Sequence, residues 1–226
     1  MQRTLESHEL MDDPDQAKAY ADSDFTEPHN AFIAYFRERF PDFSGGSILD
    51  IGCGPADPTI RFAHAYPDAD LIGLDGSEEM LSRARQAVRT EGLSERIQLV
   101  QAMLREDVFP PGSFAAIICN SFLHHLEDPQ ILWRSIRQLA KVDAPVLVMD
   151  LMRPDSEKRA RELVALHAQG APELMAHDFY NSLLAAFRPE EVHGQLAEAG
   201  LLFQIDVVSD RHMVIHGKNI SPSSLY

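Results

Sequence analysis

The sequence predicts an α/β fold: a seven-stranded, mostly parallel sheet with helices on both faces, closing in an antiparallel hairpin. Three observations carry this. Short apolar runs alternate with segments of helical period along most of the chain. The runs are continuously apolar, as in strands buried on both faces of a parallel sheet. Near the end, two strand-like segments are separated only by Ser209-Asp210-Arg211, a turn so short that it forces an antiparallel pair.

The elements follow in order. Residues 1–13 are polar, acidic and aperiodic, and read as mobile. Residues 14–21 form a short helix that presents Tyr20. Thr26 and Pro28 start a helix to about Phe40, with Phe32, Ile33, Phe36 and Phe40 on its apolar face. Pro41 and Ser44-Gly45-Gly46 close this leader. Strands are expected at 48–51, 71–74, 97–100, 114–119 and 145–149, with intervening helices at 56–66, 78–90 (capped by Ser77) and 129–140. Residues 156–168 and 172–187 form two helices where one crossover helix would suffice. A further helix opens at Pro189 and stops at Gly200, before strands at 201–208 and 212–217.

Composition narrows the function. The 226 residues are 45% hydrophobic and 24% charged, enough for one sizeable core. Lys plus Arg number 20 against 35 Asp plus Glu, a net −15, which argues against a broad nucleic-acid footprint. Arg83, Arg85 and Arg89 read as a solvated helix face. Cys53 and Cys119 give no disulfide framework, no signal layout opens the chain, and no apolar stretch approaches the roughly 20 residues that span a bilayer. These features read as a soluble, cytoplasmic protein without membrane attachment. Neither a heptad nor an exposed apolar stripe decides its oligomeric state.

The first strand ends in Asp50-Ile51-Gly52-Cys53-Gly54-Pro55-Ala56-Asp57. Two glycines without Cβ let a ligand approach the backbone, beside the unpaired N–H groups of a helix start. Asp75, 23 residues past Gly52, ends the second strand, where a carboxylate can accept hydrogen bonds from both hydroxyls of a ribose.

Asp50-Ile51-Gly52-Cys53-Gly54, Gly73-Leu74-Asp75 and Ser77-Glu78-Glu79-Met80-Leu81 resemble the first two motifs of class I S-adenosylmethionine-dependent methyltransferases. Cys119-Asn120-Ser121-Phe122-Leu123-His124-His125-Leu126 resembles their fourth, and the terminal hairpin matches their seventh-strand arrangement. The resemblance covers residues 45–150. It implies a Rossmann-like fold, S-adenosyl-L-methionine as cofactor and methyl transfer to a small-molecule acceptor. Gly52, Cys53 and Gly54 would then border its methionine part and ribose, and Asp50 its amino group. Asp75 would hold the ribose; Gly76, Met80, Gln101, Ala102 and Met103 would border the adenine; Asn120 and Ser121 would lie near the sulfonium. Two departures stand out. Ala56 replaces a frequent third glycine, which asks for looser packing, and Ala102 replaces a frequent acid, leaving backbone or Gln101 to meet the adenine amine.

On this reading the chain is one domain. Residues 1–44 are a helical leader or lid closing through Tyr20 and Phe25, and 45–150 are the cofactor-binding core. Residues 151–188 are a helical insert covering the substrate, and 189–226 the last helix and hairpin. His124 and His125, at a strand's C-terminal end, are the candidate catalytic bases. An extended segment would point them apart, so no metal site is expected there. Cys53 and Cys119 have no activating base in sight. Arg153, His177, Phe179, Tyr180 and Arg188 are candidates to meet the acceptor, although Phe179, Leu183, Leu184 and Phe187 also fit one buried helix face. Three alternatives stay open: an NAD-dependent oxidoreductase, an enzyme making or using a modified S-adenosylmethionine in tRNA modification, and a non-catalytic cofactor-binding module.

Overall fold

The computed structural model describes residues 1–6, 10–104 and 109–220. Its strands are β1 (Gly46–Ile51), β2 (Ala69–Asp75), β3 (Ile97–Gln101), β4 (Ala116–Asn120), β5 (Pro145–Leu151), β6 (Gln204–Val207) and β7 (His212–Lys218). They form one sheet in the order β3-β2-β1-β4-β5-β7-β6. β1 to β5 pair in parallel, and β7 runs antiparallel to both β5 and β6. The fold is the seven-stranded, mostly parallel, Rossmann-like sheet that the alternating pattern implied.

Eight α-helices are described: α1 (Pro14–Ala21), α2 (Thr26–Arg39), α3 (Asp57–Ala65), α4 (Glu78–Thr90), α5 (Gln130–Leu139), α6 (Glu157–His167), α7 (Glu173–Ala185) and α8 (Pro189–Ala199). Side-chain oxygens of Asp13, Ser77 and Ser156 cap α1, α4 and α6 by accepting backbone N–H groups. Alternation along β1 feeds two cores. Ile48 packs with Phe32, Phe36, Phe62 and Tyr66 of α2 and α3, while Leu49 and Ile51 pack on the opposite face with Trp133 and Leu196 of α5 and α8. Trp133 is fully buried, and its indole N–H donates to Gln195 Oε1 at 2.9 Å, locking α5 to α8. Among the described residues, no helix is long and apolar enough to cross a membrane.

Several expectations need correction. β4 starts at Ala116 because Phe114 makes only an isolated bridge to Ala140. β6 covers only Gln204–Val207. α7 stops at Ala185, where Ala186 turns extended and Phe187 bridges Met152. The N-terminal segment read as mobile is anchored over residues 1–6: Thr4 N donates to Leu184 O at 3.1 Å, and Arg3 donates to the carbonyls of Ala185, His124 and Leu126. Residues 7–9 of that segment, and 221–226 at the end of the last subdivision, lie outside the described residues.

Strand order sets the site. β1 has β2 on one side and β4 on the other, so the connections leaving the carboxyl ends of β1 (to β2) and β4 (to β5) run in opposite directions. The crevice this opens is where ligands enter open α/β sheets.

Candidate functional site

At the carboxyl end of β1 the chain turns back on β2: Gly52 N and Cys53 N both donate to Leu74 O, at 2.8 and 3.1 Å. Gly52 and Gly54 have φ of 70° and 52°, a left-handed backbone that favours glycine. A Cβ on Gly54 would meet nothing within 4 Å, so its backbone is bare towards the crevice. Cys53 turns its thiol away, packed where a Cβ on Gly73 would meet Sγ at 2.9 Å. Burial and the charges of Asp75 and Asp50 hold that thiol well above its ordinary pKa, which suits packing rather than nucleophilic attack. Ala56 is fully buried with φ of 69°. The missing third glycine thus costs backbone strain of about 1–2 kcal/mol rather than looser packing.

Asp75 is fixed by the backbone on both sides. Its Oδ2 accepts from Gly54 N and its Oδ1 from Ser77 N, each at 2.8 Å. Each oxygen keeps a further lone pair for an incoming hydroxyl. Burial raises the Asp75 pKa, and the two backbone donors limit the rise.

Asp50 is 1% exposed and accepts from Thr59 Oγ1 at 2.6 Å. Burial, aided by the charge of Asp75 and opposed by the Thr59 hydroxyl, lifts its pKa to about 7. Across the crevice, the end of β4 delivers Asn120, whose buried Oδ1 has no hydrogen-bond partner among the described residues, followed by Ser121, whose φ is 54°.

Beyond β4 the chain forms a 3-10 turn, Leu123–His125, rather than an extended segment. The rings of His124 and His125 therefore lie together, centroids 4.1 Å apart, which corrects the expectation that they diverge. His124 Nδ1 pairs with Asp150 Oδ1 at 2.6 Å; the two are 3% and 1% exposed. Burial would lower the His124 pKa, but the Asp150 carboxylate outweighs it and raises it; Asp150 is lowered in turn by His124 against its own burial. The sequence reading weighed Asp150 only as an available metal ligand and did not pair it with His124, although a carboxylate at the carboxyl end of a buried strand beside β4 was a usable signal. Glu6 Oε2 reaches His125 Nδ1 at 2.6 Å. Burial opposes the Glu6 charge, yet His125 and His124 bring its pKa down to about 2.

One cavity of about 1060 Å³ joins these groups. It is bordered by Tyr20, Asp50, Gly52, Cys53, Gly54, Asp75, Gly76, Met80, Ala102, Met103, Asn120, Ser121, His124 and His125, so nearly every sequence-derived residue converges on it. Gln101 does not: it is exposed, outside the lining, with its amide turned to Gly76 O at 3.3 Å. Tyr20 stacks near Phe25 with centroids 4.9 Å apart, and burial together with the charges of Asp75, Asp150 and Asp57 pushes its phenol up to about 12.

Of the insert candidates, only Phe179 lines this cavity. Arg153 is 7% exposed and ties Ala186 O to Glu191, so it is structural. Arg188 lies at the start of α8 beside Asp155, and Tyr180 faces Glu157 and Arg161. His177 borders a smaller neighbouring cavity of about 410 Å³. Sequence reading missed the 166–172 loop and the Arg211–His212 corner, which complete the wall. Their placement depends on where α6 and the hairpin end, for which no local pattern exists.

A glycine turn, a backbone-fixed carboxylate one strand over and a hairpin-closed parallel sheet define a nucleotide-cofactor-binding α/β protein. Comparison with known proteins makes this specific. Residues 48–145 match the family described as a methyltransferase domain. The chain is 28% identical over 178 residues to a ubiquinone biosynthesis O-methyltransferase of Methylococcus capsulatus, covering 76% of this chain and 70% of that one. It is 28% identical over 161 residues to the 27-O-demethylrifamycin SV methyltransferase of Amycolatopsis mediterranei, covering 70% and 54%. Against several curated relatives the match spans only about a quarter to about half of their length. The fold is that of a Methanococcus maripaludis structure described as a putative S-adenosyl-L-methionine-dependent methyltransferase (TM-score 0.71, 19% identity, 96% of this chain and 98% of that one). Residues 48–145 are thus similar to a methyltransferase domain, and the fold of the chain is that of structures described as S-adenosyl-L-methionine-dependent methyltransferases.

The Methanococcus maripaludis structure is described as S-adenosyl-L-methionine-dependent, and the residues present in this chain fit that cofactor. Asp75 offers lone pairs for two hydroxyls, Gly54 offers bare backbone, and Asn120 Oδ1 is a buried acceptor without a donor on the cavity wall.

Proposed function

We propose that this protein transfers a methyl group from S-adenosyl-L-methionine to a small-molecule acceptor by in-line displacement. The observation that carries the reading is the single cavity running from the glycine turn past His124 to Met175 and Phe179 of α7. It leaves room for an acceptor beyond the cofactor, under a helical cover, as enclosed small-molecule sites do. The names of relatives acting on ubiquinone precursors and a rifamycin support an acceptor of that size. Two free, buried cysteines suit a cytoplasmic setting.

The cofactor supplies an electrophilic methyl on a positively charged sulfur. The chain supplies the rest. Asp75 and the Gly52–Gly54 turn hold the nucleotide end, and Asn120 and Asp50 take the amino-acid end. The walls from α7 and the 166–172 loop align the acceptor and exclude water, which is most of what a displacement needs. His124, its Nδ1 bound to Asp150, would keep Nε2 to hold the proton that the acceptor gives up.

The test is calorimetric titration with S-adenosylmethionine and, separately, NAD, followed by assay of S-adenosylhomocysteine release over a panel of phenolic, amine and thiol acceptors. Saturable sulfonium binding and transfer to one acceptor class are expected. Saturable NAD binding with no sulfonium binding would sink the proposal.

The raised pKa of Asp50 adds a pH dependence. Below about 7 its carboxyl is protonated and attracts an ammonium group weakly; above it the ionised form attracts strongly. Affinity for S-adenosylmethionine should therefore climb about tenfold from pH 6 to pH 8. Asp50→Asn should bind more weakly at pH 8 and lose that slope. A wild-type affinity that is flat across this range contradicts the assignment.

A further inference from the structure

The structure assigns a second binding function to the cavity wall: Glu6, His124 and His125 form a site for one divalent transition-metal ion of the zinc type. One ligand atom from each residue lies within 4.8 Å of the others. The three residues come from places remote in sequence, the N-terminal strap and the turn after β4, so no short spacing in the sequence announces the site. The inference extends the methyltransferase reading, since the site lies against its acceptor region.

Three features make this more than proximity. First, His124 is already arranged as metal-ligating histidines are: one ring nitrogen is fixed by a buried carboxylate, Asp150, which leaves Nε2 to ligate and sets the ring's orientation. Second, among the described residues His125 Nδ1 is buried and Glu6 Oε2 stands 2.6 Å from it, so the two face each other across a water-poor gap. Ligand atoms on a tetrahedral zinc stand about 3.3 Å apart, so the Glu6 side chain would draw back slightly to seat the ion between them. Third, access exists from both sides. His124 and His125 line the large cavity, while Glu6 and His125 line the smaller one.

The donor set selects the ion. Two imidazoles and one carboxylate suit zinc, with a fourth position left open for water or an acceptor atom, whereas magnesium and calcium prefer oxygen ligands. Charge favours a cation as well. Glu6 and Asp150 bring two negative charges against one from Arg3, whose guanidinium is spent on the carbonyls of Ala185, His124 and Leu126. Coordination through Nε2 would occupy the atom that otherwise receives the acceptor's proton. Metal occupancy and use of His124 as a base are therefore mutually exclusive.

The probe is cobalt(II), titrated into the full chain by calorimetry and by visible absorption, with zinc as competitor and magnesium as control. One cobalt per chain, with ligand-field absorption abolished by zinc and unaffected by magnesium, is expected. Glu6→Gln, a near-isosteric change on the strap, should weaken binding at least tenfold. Asp150→Asn should weaken it 10–100-fold by releasing His124, and His125→Ala should remove it. Circular dichroism verifies that each variant is folded. Equal cobalt affinity in wild type, Glu6→Gln and His125→Ala means adventitious histidine binding and overturns the inference, as does the absence of saturable binding. A parallel titration with S-adenosylmethionine separates the two readings: sulfonium binding without cobalt binding defeats only the metal site, and cobalt binding without sulfonium binding defeats only the methyltransferase reading.

Discussion

Asp75→Ala is expected to weaken S-adenosylmethionine binding by at least about a hundredfold. The carboxylate is placed to accept two hydroxyl hydrogen bonds, each worth about 1.5–3 kcal/mol when the acceptor is charged, so losing both costs about 3 kcal/mol or more. A second cost adds to this. The same oxygens accept Gly54 N and Ser77 N at 2.8 Å, so the variant also releases the glycine turn and the start of α4 from each other. Isothermal titration of wild type and variant measures the change, with circular dichroism showing that the fold persists. An affinity within threefold of wild type in a folded variant removes the ribose assignment. Asp75→Asn is the companion experiment. It keeps one carbonyl acceptor but loses the charge, so it should lie between the two.

Gly52→Ala should destabilise the whole domain while also closing the cofactor turn. At φ of 70°, a Cβ costs about 1–2 kcal/mol of backbone strain. The added methyl would overlap Phe122, 2.6 Å from its ring Cγ and 2.9 Å from its Cβ. Overpacking of that kind adds about 1–3 kcal/mol. The sum, roughly 2–5 kcal/mol, should lower the melting temperature by about 5–15 °C for a chain of this length. Phe122 can yield only by moving into the cavity it lines, so cofactor binding should fall as well. Differential scanning calorimetry with and without S-adenosylmethionine reads both effects. A melting temperature within 1 °C of wild type would show that the turn tolerates a side chain and that the left-handed backbone is not a requirement.

These two residues also show why the sheet was legible. Strand order in such a fold follows from short, right-handed connections between buried apolar runs, and those runs are local features of the chain. The Gly52–Gly54 turn and Asp75 are local in the same sense, because each is fixed to the end of a strand whose position is already set. Met80 follows from the Ser77 cap, since the cap fixes which face of α4 its first turn buries. Hence most of the residues named around the glycine turn line the cavity.

Other features were not local. Gln101 is the last residue of β3 and is exposed, whereas Ala102 and Met103, just past the strand where its alternation no longer applies, line the cavity. Arg153 carries a charge suited to a ligand, but the end of α7 and the start of α8 enclose it and use it to tie Ala186 O to Glu191. His124 and His125 were named, yet their arrangement depended on a 3-10 turn that periodicity does not signal. The polar N-terminal strap gave no reason to be ordered until Arg3 found the carbonyls that the turn and α7 leave open.

The sequence by itself determined the sheet, the glycine turn and the carboxylate one strand over, because each is written in residues close together in the chain or spaced by one strand and one helix. Only the tertiary structure decided that His124 is held by Asp150 and that Glu6 stands against His125. It also decided that the 166–172 loop and the Arg211–His212 corner complete the cavity wall. Contacts of this kind join segments up to 182 residues apart, counting Arg3 to Ala185. No pairwise signal for them exists until the buried apolar faces have packed and brought the polar groups together.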